Sequence, residues 1–284
     1  MRTRNHFRSD LMIPTVKIDV TIDINCPFSY LGVLHLLSAI EKYHTSQPNA
    51  NFEPIIRLLP YNLDENLTER PLPRAEYRKQ RLGLERAALA EKNFMDKFAA
   101  IGVDANSGGL ISSPHLFNRI LTHALFIAPE TQLPIALQLF HAIHVDARHP
   151  SDRALIADAA VEHGLFPTIT KAMLWMDRDE CDAQVRRAYV TARRLGVTGV
   201  PFYVFEDRWA LSGLHGVEEF VSLFDKLSRG TSSSTPSPTT TVSSPEPRKP
   251  LIPSPLSNPA SLSIVSPSST LSPTTDPTDT DQSE

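Results

Sequence analysis

The chain has 284 residues, 41% of them hydrophobic and 21% charged, with a net charge of −4 and two cysteines. That balance is ordinary for a globular protein. It lacks the basic excess of a nucleic-acid binder, and no apolar run reaches the ~18 residues that a membrane-spanning helix needs. Two cysteines do not make a disulfide framework, so the expected compartment is reducing, the cytoplasm.

Residues 1–13 read as an N-terminal extension. "MRTRNHFRSDLMIPTVK" has three arginines but no apolar stretch behind them, which argues against a secretory signal and leaves a very short mitochondrial presequence as the alternative to a cytoplasmic start. "VKIDVTIDI" (16–24) alternates with period two and predicts a strand with one well-buried face. "SYLGVLHLLSAIEKY" (29–43) sets Leu31, Leu34, Leu37 and Ile40 on helical spacing, just after Pro27, a residue tolerated at a helix start. "FEPIIRLLP" (52–60) is a second strand, which completes a βαβ unit with parallel strands.

Between about residues 67 and 165 no strand is expected. "RAEYRKQRLGLERAALAEKNFMDKFAAIG" (74–102) reads as helix with a break at Gly83, and segments 116–128, 132–147 and 152–165 are helical, the last capped by Ser151 or Asp152. More helix follows at 169–176 and 179–195. "PFYVFED" and "RWALSG" form a hairpin that turns near Asp207, and a helix over 216–227 closes the unit.

The fold class is therefore α/β, a domain over 14–228 with a helical insertion at about 67–165, set between the βαβ unit and a C-terminal ββα unit. From 229 to 284 the chain is mainly Ser, Thr and Pro. Such a segment cannot bury enough apolar surface to offset its ordering entropy, and it is expected to be a disordered, solvated tail without a function of its own, phosphorylation at its Ser-Pro and Thr-Pro sites being the less favoured alternative.

The chemistry centres on "INCPFSYLG" (24–32). Cys26 ends a strand and precedes a helix, the edge where ligand sites of open α/β sheets gather. A helix N-terminus offers unpaired N–H groups and a partial positive charge, which stabilise a thiolate. The expected thiol pKa therefore falls below the ordinary ~8.5, and the thiolate is the nucleophile. The alternative is a small buried hydrophobe. His141, His144 and His149 form no metal set, and "SGGL" (107–110) follows no strand and is a loop, not a phosphate cradle.

"INCPFSYLG" and "GVTGVPFYVF", with "FNRILTHAL" in the insertion, resemble the DsbA-like branch of the thioredoxin superfamily, and more narrowly its FrnE-type proteins. The resemblance covers roughly residues 15–228. It implies a thioredoxin-like fold and a cis peptide bond at Val200–Pro201, facing Cys26 and leaving the Val200 backbone free to pair with a peptide or with glutathione. It also implies a site made of Cys26 and Ser29, with Pro27, Phe28, Tyr30, Asn118, His123, Val200 and Pro201 on the substrate or glutathione. Core packing is the competing reading for Phe28, Tyr30 and His123.

The chain departs from the dithiol pattern at Ser29, where those relatives have a second cysteine. No internal disulfide can form there, and an external thiol such as glutathione must resolve any mixed disulfide. Ser29 either caps the helix start or donates a hydrogen bond to Cys26. Cys181 can act as a resolving thiol only if the fold brings its Cα within about 4.4–6.8 Å of that of Cys26.

The favoured reading is a single-cysteine thiol-disulfide oxidoreductase with no bound cofactor and glutathione as co-substrate, acting on a disulfide-containing or small-molecule substrate. Kappa-class glutathione transferases and 2-hydroxychromene-2-carboxylate isomerases share this fold, and their S-P-x-S turn has a serine where Ser29 stands. The second reading is accordingly a glutathione-dependent transferase or isomerase acting on a small aromatic molecule. A non-catalytic binding protein is the third. Nothing in the sequence sets oligomeric state, so a homodimer stays open; nucleic acid and membrane are not expected partners.

Overall fold

A computed structural model describes residues 15–48, 50 and 52–230. The expected N-terminal extension and almost all of the expected tail lie outside the described residues. Strand β1 (Thr15–Ile22) runs into helix α1 (Pro27–Ser46), and β2 (Glu53–Pro60) returns parallel to β1. At the other end of the domain the hairpin β5 (Phe202–Phe205) and β6 (Trp209–Ser212) is followed by α9 (Val217–Gly230), which runs past the boundary expected at 228. The sheet order is β2-β1-β5-β6, with β5 antiparallel to both β1 and β6. The hairpin turns through Glu206 and Asp207, both at φ +53°, a backbone hand that suits the twist of the paired strands.

Between β2 and β5 come α2 (Arg74–Leu82), α3 (Leu84–Ala99), α4 (His115–Ile127), α5 (Pro129–His144), α6 (Arg153–Glu162), α7 (Ile169–Met176) and α8 (Asp182–Arg194). Gly83, at φ +79°, separates α2 from α3, as its place in the sequence predicts. Asp152, not Ser151, caps α6, accepting from the Leu155 N–H at 3.1 Å. The expectation of no strand in this block is corrected. Leu72–Pro73 (β3) and Leu110–Ile111 (β4) pair antiparallel in a separate two-stranded sheet. Strands of two residues carry no period to read.

β1 is buried on both faces. Val16, Ile18, Val20 and Ile22 form one, and on the other Asp19 and Thr21 are buried as well. Asp19 is tolerated there because Arg57, directly across in β2, grips both of its oxygens at 2.6 Å. In α1 the predicted stripe is shifted. Leu31 is buried, but Leu34, Leu37 and Ile40 are only partly so, while Val33, Leu36, Ala39 and Tyr43 are fully packed. The helix is covered from several directions, by α9 as well as by α3 and α5, so a single stripe understates its core face.

The insertion also closes the outer edge of the sheet. Gln132 of α5 uses its side-chain amide as a strand would, accepting from the Leu58 N–H and donating to the Leu58 carbonyl, both at 2.9 Å. That satisfies polar groups that an edge strand otherwise leaves open.

Candidate active site

The turn from β1 into α1 is built by Asp23. Its backbone carbonyl accepts from the Cys26 N–H at 3.0 Å. Its carboxylate accepts from the Asn25 N–H at 2.9 Å and from the Leu63 N–H at 2.8 Å, tying the turn to the segment after β2. Cys26 is the N-cap of α1 and Pro27 its first residue, a position where the missing N–H costs nothing. The Asp23 side chain is fully buried, and burial raises its pKa to about 6.

Cys26 is 8% exposed, and its Sγ lies 3.5 Å from the Val200 carbonyl, to which the S–H donates. Val200–Pro201 is cis, as the resemblance implies. Ser29 is fully buried; its Oγ accepts from the Asp23 N–H at 3.3 Å, and its hydroxyl, beside Cys26, favours the thiolate. The Ser29 hydroxyl thus ties the turn after β1 to the first turn of α1, while Cys26, the N-cap itself, makes no side-chain cap bond.

The expected depression of the thiol pKa is corrected. Burial pushes the Cys26 thiol up to about 11, and the charge of Asp23 adds to the rise. The N–H groups of Ser29 and Phe28 and the Ser29 hydroxyl pull the other way but are outweighed. A helix start favours a thiolate only as far as the anion keeps its solvation, and here the sulfur has lost it.

The remaining expected residues divide. Pro27 and Phe28 line, with Cys26, a cavity of about 310 Å³ between the cysteine turn and the insertion. Val200 meets the sulfur through its carbonyl just before β5, and neither it nor Pro201 is among the cavity-lining residues. Tyr30 packs in the core instead, stacked on Phe140 at 5.3 Å. Asn118 is 1% exposed and ties α4 to the Tyr61 carbonyl at 3.0 Å and to the Tyr189 hydroxyl at 2.8 Å. His123 stacks between Phe166 and Trp175, with centroids at 5.5 and 4.7 Å, and burial lowers its pKa. Neither Asn118 nor His123 lines the cavity. On helix α4 they serve packing, the competing reading for a lone histidine among apolar neighbours.

Cys181 is a free thiol at the start of α8, in the left-handed conformation (φ +65°), with Arg119 and Glu180 as its charged neighbours; Cys26 is free as well. Among the described residues no group of three or more His, Cys, Asp or Glu is placed to hold a metal, and no helix is long and apolar enough to cross a membrane.

The sequence reading missed Asp23, Arg74 and His144, all of which line the cavity. Arg74 left a signal in the sequence: it opens a helix, where a cation opposes the macrodipole.

A cysteine at the N-terminus of the helix after a central strand, met by a cis X–Pro bond at the start of a ββα unit, defines a thioredoxin-like protein with a helical insertion. Residues 17–225 match the family model of the DSBA-like thioredoxin domain, and the chain belongs to that family. Comparison with curated proteins gives no match.

Among solved structures the chain is similar to a probable DsbA oxidoreductase from Streptomyces coelicolor, at 21% identity over 80% of this chain and 94% of that one, with a TM-score of 0.66. It is also similar to a protein of Nitrosomonas europaea provisionally described as a protein disulfide isomerase, at 17% identity over 76% and 99% of the two chains, with a TM-score of 0.57. A 2-hydroxychromene-2-carboxylate isomerase matches at 14% identity over 76% and 97%, with a TM-score of 0.49. At such identities the likeness concerns the fold alone.

Proposed function

We propose that the protein is a thiol-disulfide oxidoreductase that works through Cys26 alone, with glutathione as the resolving thiol. The observation that carries this reading is Cys26 Sγ at a helix start, 3.5 Å from the Val200 carbonyl, with Ser29 and not a second cysteine three residues on. In the resting site the sulfur is a thiol that donates to Val200. A disulfide substrate that pairs with the Val200 backbone takes that acceptor and frees the sulfur. The Cys26 sulfur loses its proton as it attacks one sulfur of the substrate; a mixed disulfide forms, and the other substrate sulfur takes up that proton and leaves as a thiol. Glutathione thiolate then attacks the substrate sulfur of the mixed disulfide, which releases Cys26 and leaves the substrate disulfide-bonded to glutathione. Ser29 cannot replace glutathione in that step, since a hydroxyl forms no disulfide. The two unpaired cysteines fit a reducing compartment, and in this reading the protein works in the cytoplasm.

The cavity against Cys26 favours one other reading, a glutathione-dependent transferase or isomerase acting on a small molecule. Reduction of a small disulfide by glutathione, measured beside conjugation of an aromatic electrophile, separates the two. The expected result is that Cys26→Ser loses the reduction, Cys181→Ser keeps it, and glutathione disulfide leaves a lasting adduct on Cys26 by intact mass. Retention of conjugation in Cys26→Ser, with no adduct in the wild type, would replace the first reading with the second.

A further inference from the structure

We propose that the cavity beside Cys26 binds a small, mostly apolar carboxylate, whose acid group is held by Arg74. To the thiol reading, on which it rests for its purpose, this adds the class of molecule presented to the sulfur.

Arg74 lines the cavity, is 5% exposed, and has no acidic partner among the described residues. Among the described residues its guanidinium bonds only the carbonyls of Ile143 at 3.2 Å and Leu110 at 3.3 Å, and its Nε has no partner. A buried guanidinium without a counter-ion costs several kcal/mol. Here burial, with Arg78 adding to it, lowers the pKa to about 10, so the group is still a cation at neutral pH. Arg74 is also the first residue of α2, where the helix adds positive potential, although its own backbone N–H is taken by the Gly109 carbonyl at 3.0 Å. Every one of these features is relieved by an anion.

The neighbouring cations are already matched. Arg81 and Tyr77 take Asp64. Arg78 pairs with Glu91 at 3.4 Å. Asp23, the acid of the lining, bonds the backbone N–H groups of Asn25 and Leu63 and no cation, so it does not neutralise Arg74 by contact. His144 is 1% exposed, donates from Nε2 to the Ile24 carbonyl at 2.8 Å, and burial holds it neutral, so it supplies no opposing charge. Its Nδ1 is a second buried nitrogen without a partner in the same lining.

One unpaired cation matches one negative charge, a carboxylate and not a phosphate dianion. The walls decide the rest of the ligand. Phe28, Leu63, Leu67, Leu82, Phe94 and Ile111 face the cavity, and at about 310 Å³ it lies at the small end of ligand pockets.

The test is calorimetric titration of the full chain with 3-phenylpropanoate, 4-phenylbutanoate and octanoate, each beside its primary amide, and with reduced glutathione. At least one acid should bind, with its amide roughly 10- to 100-fold weaker, the loss of one charge-assisted contact. Arg74→Met should lose affinity by a similar factor, and Arg78→Met should keep it. The bound acid should slow alkylation of the Cys26 peptide by iodoacetamide, read by mass spectrometry. Cys26→Ser should still bind the acid, so a failure of disulfide exchange and a failure of this site are told apart.

Because Arg74 also holds two carbonyls, its variant is checked for folding by circular dichroism, and the acid–amide comparison on the wild type stands without it. The proposal is overturned if no acid binds, if acid and amide bind alike, if binding leaves Cys26 alkylation unchanged, or if glutathione alone binds through Arg74.

Discussion

The Cys26 sulfur donates to the Val200 carbonyl across 3.5 Å, so the strand that faces the nucleophile holds it as a thiol. That single contact links reactivity to occupancy of the Val200 edge.

The first prediction concerns titration of Cys26. With burial raising its pKa to about 11, alkylation by iodoacetamide should be slow at pH 7 and climb through pH 9 and above, later than for an ordinary thiol near ~8.5. Asp23→Asn removes a charge that opposes the thiolate, so its midpoint should fall. The Cys26 peptide is followed by mass, apart from that of Cys181. A midpoint below ~7 in the wild type contradicts the burial argument.

Gly32 is required by contact. A Cβ there would lie 2.8 Å from Pro201 Cγ and run into the Tyr203 hydroxyl, both on buried residues. Gly32→Ala should destabilise by about 2–3 kcal/mol through overpacking, and by displacing Pro201 it should change the alkylation rate of Cys26. Chemical denaturation and the alkylation assay read the two effects. Wild-type stability in this variant would mean that α1 and β5 are not packed as described.

Gln132→Leu should cost about 2–4 kcal/mol, because the N–H and carbonyl of Leu58 and the carbonyl of Leu121 lose buried partners. The denaturation midpoint should drop with an unchanged m-value. A near-neutral result would show that water replaces the amide at that edge.

Asp23 should give stability an unusual pH dependence. Its folded pKa is about 6 against ~3.9 unfolded. Between those values the folded state keeps a proton that the unfolded state has released. This contribution is therefore full below pH ~4 and is lost as pH rises through 6, by about 3 kcal/mol in all. His144, held neutral by burial, works in the opposite direction as pH falls, so the quantity to measure is the wild-type value minus that of Asp23→Asn. That difference should decline from pH 4 to pH 7; parallel curves would place the Asp23 carboxyl in solvent.

Patterns local to the chain were legible. The alternation of 16–24, Pro27 at a helix start, the break at Gly83 and the hairpin about Asp207 all follow from periodicity and backbone preference, and each appears in the structure. The cysteine turn and Val200–Pro201 were legible through their resemblance to a family. β3 and β4 were not, since two residues make no pattern, and the α1 stripe was misplaced because α9 and the insertion cover more of the helix than one face.

Residue types and their order thus determined by themselves that a lone sulfur stands where a strand gives way to a helix, with a serine and not a second sulfur one turn on. Whether that sulfur is solvated, which carboxyl is beside it, and that Arg74 and His144 line one cavity with it while Asn118 and His123 do not, were decided only by tertiary structure. The reason is physical: a pKa and a binding site depend on what excludes water around a group, and here the excluding residues come from segments 40 to 174 positions away along the chain.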